Sequence, residues 1–111
     1  MIHIFGVRAT KEQLAQMLRV HGAYVKLAVD IRRKVIAGGG ALHSDCEAVL
    51  LRDGSLQEDI WGVDWLPSTE EVLHRALINI RPRQSNPSMT ILDPTVRGQV
   101  EQLVKRLLEA V

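Results

Sequence analysis

At 111 residues and 12.4 kDa, with 14 Lys and Arg against 13 Asp and Glu, the chain fits a single domain of residues 1–111. That length supports one core without staples, and a net charge of +1 gives no whole-surface attraction to nucleic acid or anionic membrane. The lone Cys46 cannot close an internal disulfide, four aromatic residues do not favour a base-stacking platform, and the short apolar runs contain neither a signal peptide nor a membrane span. The expectation is a cytoplasmic protein.

The opening residues Met1 to Phe5 alternate around His3 and read as a short strand. Thr10 and Gln13 stand at capping-box spacing, and Leu14, Met17, Leu18 and His21 follow on one helical face, closed by Gly22. Next, Val25, Leu27, Val29 and Ile31 alternate with Lys26, Ala28, Asp30 and Arg32. This period of two favours a strand with one buried face over a helix ending at Gly38. Gly38-Gly39-Gly40 permits a tight reversal, and Asp53-Gly54 is the strongest hairpin signal in the chain, so the segment from Leu42 to Trp65 reads as two antiparallel strands. Residues Leu73 to Arg81 suggest another strand, and Pro82 and Pro87 then bracket a loop. Asp93-Pro94 opens a final helix with a side-chain cap and a proline in its first turn. Val96, Val100, Leu103, Val104, Leu107, Leu108 and Val111 form its apolar stripe. The sum is an α+β fold, an antiparallel sheet of four to five strands with two helices packed on one face.

A two-residue turn at Asp53-Gly54 pairs Arg52 with Ser55 and carries the register down both arms. Cys46, Trp61 and Trp65 then point to the core face, while His43, Asp45, Glu47 and Asp64 gather on the other. A turn at Gly39-Gly40 would set Lys34 opposite Asp45 and Arg32 opposite Glu47. Imidazole and carboxylates at alternate strand positions, about 7 Å apart, could hold a divalent metal, although they lack the spacing of zinc motifs. Against this stands a solvated face of cross-strand ion pairs worth about 0–1 kcal/mol each. Asn79, Arg81 and Arg83 point to the same face and offer forked donors for a small anion. The equally weighted account is a loop RPRQSNP whose arginines pair with sheet acids. Cys46 reads as a buried structural thiol.

Four segments carry a family resemblance: AGGGALHSDCEAVLL, DGSLQEDIWGVDW, INIRP and NPSMTILD. Together they resemble an uncharacterised prokaryotic family, domain of unknown function 5674, over nearly the whole chain. The resemblance implies a stand-alone single domain and brings no activity, substrate or cofactor. Two functional expectations follow. The first is a non-catalytic ligand-binding or assembly domain, in which the charged face and the RPRQSNP loop take a small anion or a protein partner, compatible with a homodimer through a strand edge or the final helix. The second is a metal-dependent hydrolase of phosphate esters or nucleic acid, with Arg81 as the anion clamp.

Overall fold

A computed structural model describes all 111 residues. Five strands, β1 His3–Phe5, β2 Val25–Asp30, β3 Val35–Gly38, β4 Ile60–Leu66 and β5 Glu71–Leu73, form one antiparallel sheet in the order β1-β3-β2-β4-β5. Three helices, α1 Lys11–Leu18, α2 His43–Arg52 and α3 Pro94–Leu108, complete the α+β fold. None is long and apolar enough to cross a membrane.

Local chemistry explains α1 and α3 directly. Thr10 and Gln13 exchange reciprocal hydrogen bonds at the start of α1, and Asp93 accepts the Thr95 N–H at 2.8 Å with Pro94 in the first turn of α3. Both helices pack on one face of the sheet. Met17 from α1 and Val100, Leu103, Val104, Leu107 and Leu108 from α3 meet Val25, Leu27, Val29, Ile36, Trp61, Val63 and Trp65 in the main core.

The segment from Leu42 to Trp65 is the principal departure from the expected pattern. It is a helix followed by one strand. His43, Cys46, Glu47 and Leu50 fall at i, i+3, i+4 and i+7, so one helical stripe carries them all. Asp45 accepts the Leu42 N–H at 3.1 Å and closes the helix start, while Asp53 ends it and Gly54, at φ +102°, takes the left-handed conformation beyond. Asp53-Gly54 is thus a helix stop, because αL glycine serves that role as readily as a hairpin turn.

The reversal after β2 comes at residues 31–34. Lys34 adopts φ +58° and its N–H reaches the Asp30 carbonyl, pairing β2 with β3. Consequently Arg32 and Arg33 pair with Asp59 and Asp53, each at 2.8 Å, and the expected Lys34–Asp45 and Arg32–Glu47 oppositions do not form. The strand expected over Leu73 to Arg81 ends at Leu73; a 3-10 turn at Leu77–Asn79 lies in its remainder, and a second, Pro82–Gln84, follows it.

Helix α2 covers the second face of the sheet. Its Cys46 and Leu50 pack with Ala28, Ala37 and Ile60, and the two alanines keep that face low enough for the helix to lie close. Gly62 has a comparable role beside the turn: a Cβ there would stand 2.6 Å from Ala76 Cβ and 2.8 Å from Ile78 Cγ1. Gly98, within α3, meets nothing within 4 Å. Gly62→Ala is therefore expected to cost about 1–3 kcal/mol by overpacking, while Gly98→Ala adds roughly 0.5–1 kcal/mol through helix propensity. Urea unfolding of the two variants would reject this packing account if their effects had the same sign.

Candidate functional site

The segment after β5 is organised by three buried polar side chains. Beyond Asp64, β5 no longer pairs with β4, and the Asn79 carboxamide takes the place of a neighbouring strand there. Its Oδ1 accepts the Gly62 N–H at 2.7 Å and its Nδ2 donates to the Gly62 carbonyl at 2.8 Å. Asn86 closes the loop from within, its Nδ2 lying 2.7–3.0 Å from the carbonyls of Asn79, Ser88 and Thr90 while its Oδ1 accepts the Leu92 N–H. Arg81 and Asn86 also pair through their backbones.

Arg81 is the third. Its guanidinium donates to the carbonyls of Gln57, Ile78 and Ile60 and lies 4.7 Å from the Trp61 ring centroid. Glu47 approaches from α2, but the 3.6 Å ion pair is too long for a hydrogen bond and leaves Glu47 Oε2 buried without one. Burial pulls the Arg81 pKa down against the pull of Glu47, and burial pushes Glu47 up against the pull of Arg81. Both directions show a pair whose desolvation outweighs its attraction. Arg83 stays exposed and forms no ion pair, so the three residues expected to clamp an anion are divided: Asn79 and Arg81 bond to the chain itself and Arg83 stands apart.

The four residues expected around a metal are divided as well. His43 Nε2 lies 2.8 Å from Asp64 Oδ1 and 3.1 Å from the Val63 carbonyl. Asp45 is occupied at the helix start and Glu47 turns to Arg81. No three His, Cys, Asp or Glu side chains converge closely enough to hold a metal ion. Cys46 is buried against the Lys26 carbonyl, and burial pushes its thiol up to about 11, which leaves it without nucleophilic character near neutral pH.

The His43–Asp64 pair lies in the wall of a groove of about 730 Å³. Lys26 and Asp64, register partners on β2 and β4, lie on its sheet side, Leu42, His43 and Ser44 form one rim, and Ala76, Leu77, Ile78, Met89 and Thr90 form the other. Arg75, His74 and Arg97 extend it toward α3. Lys26, Arg75 and Arg97 form no ion pairs, and the first two N–H groups of α2, on His43 and Ser44, have no acceptor in the chain. His74 differs from these cations: it donates to Glu101 across 3.3 Å, and burial lowers its pKa although Glu101 opposes the shift. Groove residues Tyr24, Lys26, Arg75 and Arg97 lie in four different elements or loops, so only the outward position of Lys26 on β2 was readable beforehand.

The Arg81–Glu47 pair yields a stability test. Because the folded pKa of Glu47 is raised, its contribution is fully present below the unfolded value near 4.5 and is lost as pH rises through the folded value. Glu47→Gln should therefore gain on the wild type as pH increases above that range, whereas Arg81→Ala should lose about 3–5 kcal/mol at neutral pH. Urea unfolding across a pH series would overturn this assignment if Glu47→Gln lost ground with rising pH.

Comparison with known proteins gives one family. Among curated proteins and solved structures nothing matches the chain. Residues 3–107 match the family described as "Protein of unknown function (DUF5674)". With nearly its whole length matched, the chain belongs to that family.

Proposed function

We propose that this protein is a ligand-binding domain whose groove between β2, β4, α2 and the loop after β5 takes a small organic acid. The ligand carries a carboxylate or phosphate on an apolar body. The carrying observation is the juxtaposition, in one groove, of three cations free of ion pairs with an apolar wall of Leu42, Leu73, Ala76, Leu77, Ile78 and Met89. Lys26, Arg75 and Arg97 outnumber the single groove carboxylate, Asp64, which His43 already engages. Anion recognition thus moves from Arg81 and Asn79, whose polar groups are spent on backbone partners, to cations that remain available.

Ligands of this kind combine a small number of placed polar contacts with buried apolar surface. Lys26 is half-buried on the sheet, where low dielectric strengthens its attraction for an anion, and the two arginines can adapt to the far end. The free N–H groups of α2 add donors at the same rim.

Thermal unfolding with adipate, hexyl phosphate and neutral 1-hexanol provides the test. At about a hundred times its dissociation constant an acidic ligand adds about 2.7 kcal/mol and raises the midpoint by several degrees. The two acids are expected to produce that shift, 1-hexanol is not, and Lys26→Ala should weaken the response to both acids. Equal shifts from the alcohol and the acids, or no response to any probe, would overturn the reading.

A further inference from the structure

We infer that the same groove is a metal-independent esterase site for acidic esters, with His43 as general base and Asp64 as its positioning residue. This step rests on the binding reading above and adds chemistry to it.

The orientation of the imidazole carries the argument. Nε2 faces two oxygens, Asp64 Oδ1 at 2.8 Å and the Val63 carbonyl at 3.1 Å. Neither a carboxylate nor a carbonyl can donate, so in the neutral imidazole the proton resides on Nε2 and the lone pair on Nδ1. Nδ1 has no partner in the chain and is absent from the buried unpartnered atoms, so it stays open to solvent from a groove-lining residue. A surface histidine is free to rotate and exchange tautomers. His43 instead presents one base lone pair in one direction, its side chain only 11% exposed and fastened at the opposite nitrogen.

Other groups that acyl transfer uses line the same groove. The N–H groups of His43 and Ser44 are free backbone donors for a developing oxyanion, and Lys26, Arg75 and Arg97 supply the charge that anchors a carboxylate elsewhere on the substrate. In the reaction, a water oxygen attacks the ester carbonyl carbon while its proton passes to His43 Nδ1. The C=O π pair moves to the carbonyl oxygen, then returns as the bond to the alcohol oxygen breaks. The proton on Nδ1 passes to that leaving oxygen. Ester and water give acid and alcohol, with the imidazole restored and no other reactant consumed. Asp64 stabilises the intervening imidazolium and holds its tautomer.

The mono-p-nitrophenyl ester of adipic acid is the probe, with p-nitrophenyl acetate as its uncharged counterpart and p-nitrophenolate release as the signal. The wild type should show saturable hydrolysis of the acidic ester. His43→Gln should lower kcat by roughly 100-fold or more, the contribution of a positioned general base. Asp64→Asn should lower kcat by roughly 10-fold or more with KM unchanged, and Lys26→Ala should raise KM roughly 10-fold with kcat unchanged. Thermal midpoints measured on each variant separate lost chemistry from lost folding; Asp64→Glu, which retains the carboxylate, serves as a second test if Asp64→Asn unfolds. Hydrolysis unchanged by His43→Gln would overturn the inference. Adipate binding with no turnover would remove the esterase while leaving the binding domain intact, and the absence of both would remove both.

Discussion

The carboxamide of Asn79 on the backbone of Gly62 is the contact on which the rest of this architecture depends. Strand β4 runs to Ile60, but β5 accompanies only its last residues, so the outer edge of β4 at Gly62 would otherwise bury an N–H and a carbonyl without partners. Each orphaned group would cost about 1–3 kcal/mol, and one side chain answers both. The geometry allows no substitute of another shape, because the amide presents an acceptor and a donor side by side, as a strand backbone does. Arg81 continues the arrangement at the Ile60 carbonyl, and Asn86 then ties the loop back on itself.

The groove is a product of that edge. With polar side chains in place of a longer β5, the chain after β5 is free to rise over the second face, where Ala76 and Ile78 press against Gly62. Helix α2 occupies the rest of that face, and the space between helix and loop is left uncovered beside Lys26 and Asp64. The loop also shields a stretch of β4 edge that would invite association with another strand. A site on these elements inherits their rigidity, since each rim is pinned to β4: one by His43 to Asp64, the other by Asn79 to Gly62.

The legible parts of the sequence were those in which one local signal had one structural use. Thr10 with Gln13, Asp93 with Pro94 and the alternation from Val25 all formed the elements expected, although β2 buries its second face as well, at Ala28 and Asp30, and Trp61 and Trp65 are buried as their spacing required. Asp53-Gly54 has two uses, and the sequence hides the helical one because the stripe of α2 is half polar: His43 and Glu47 sit where apolar residues would announce a helix. The pairing of His43 with Asp64 emerges from the structure by a different route from the one anticipated, a helix lying over a strand. Asn79 and Arg81 carry donors suited to a ligand, but sequence shows that chemical capacity and not whether neighbouring carbonyls have already used it. Lys26 is the opposite case, its place in the groove depending on a loop 50 residues farther along the chain.

Cys46 gives the fold a built-in reporter. Its thiol is closed off beneath α2, facing the Lys26 carbonyl, with Gly40 3.0 Å away at the position a Cβ would take. An alkylating or oxidising reagent reaches the sulfur only when the helix lifts from the sheet, so the rate of modification under native conditions measures the frequency of that excursion rather than the chemistry of the thiol. Because the chain has no second cysteine, the signal belongs to this helix alone. The same helix carries one rim of the groove, so exposure of the sulfur also reports how often that rim moves.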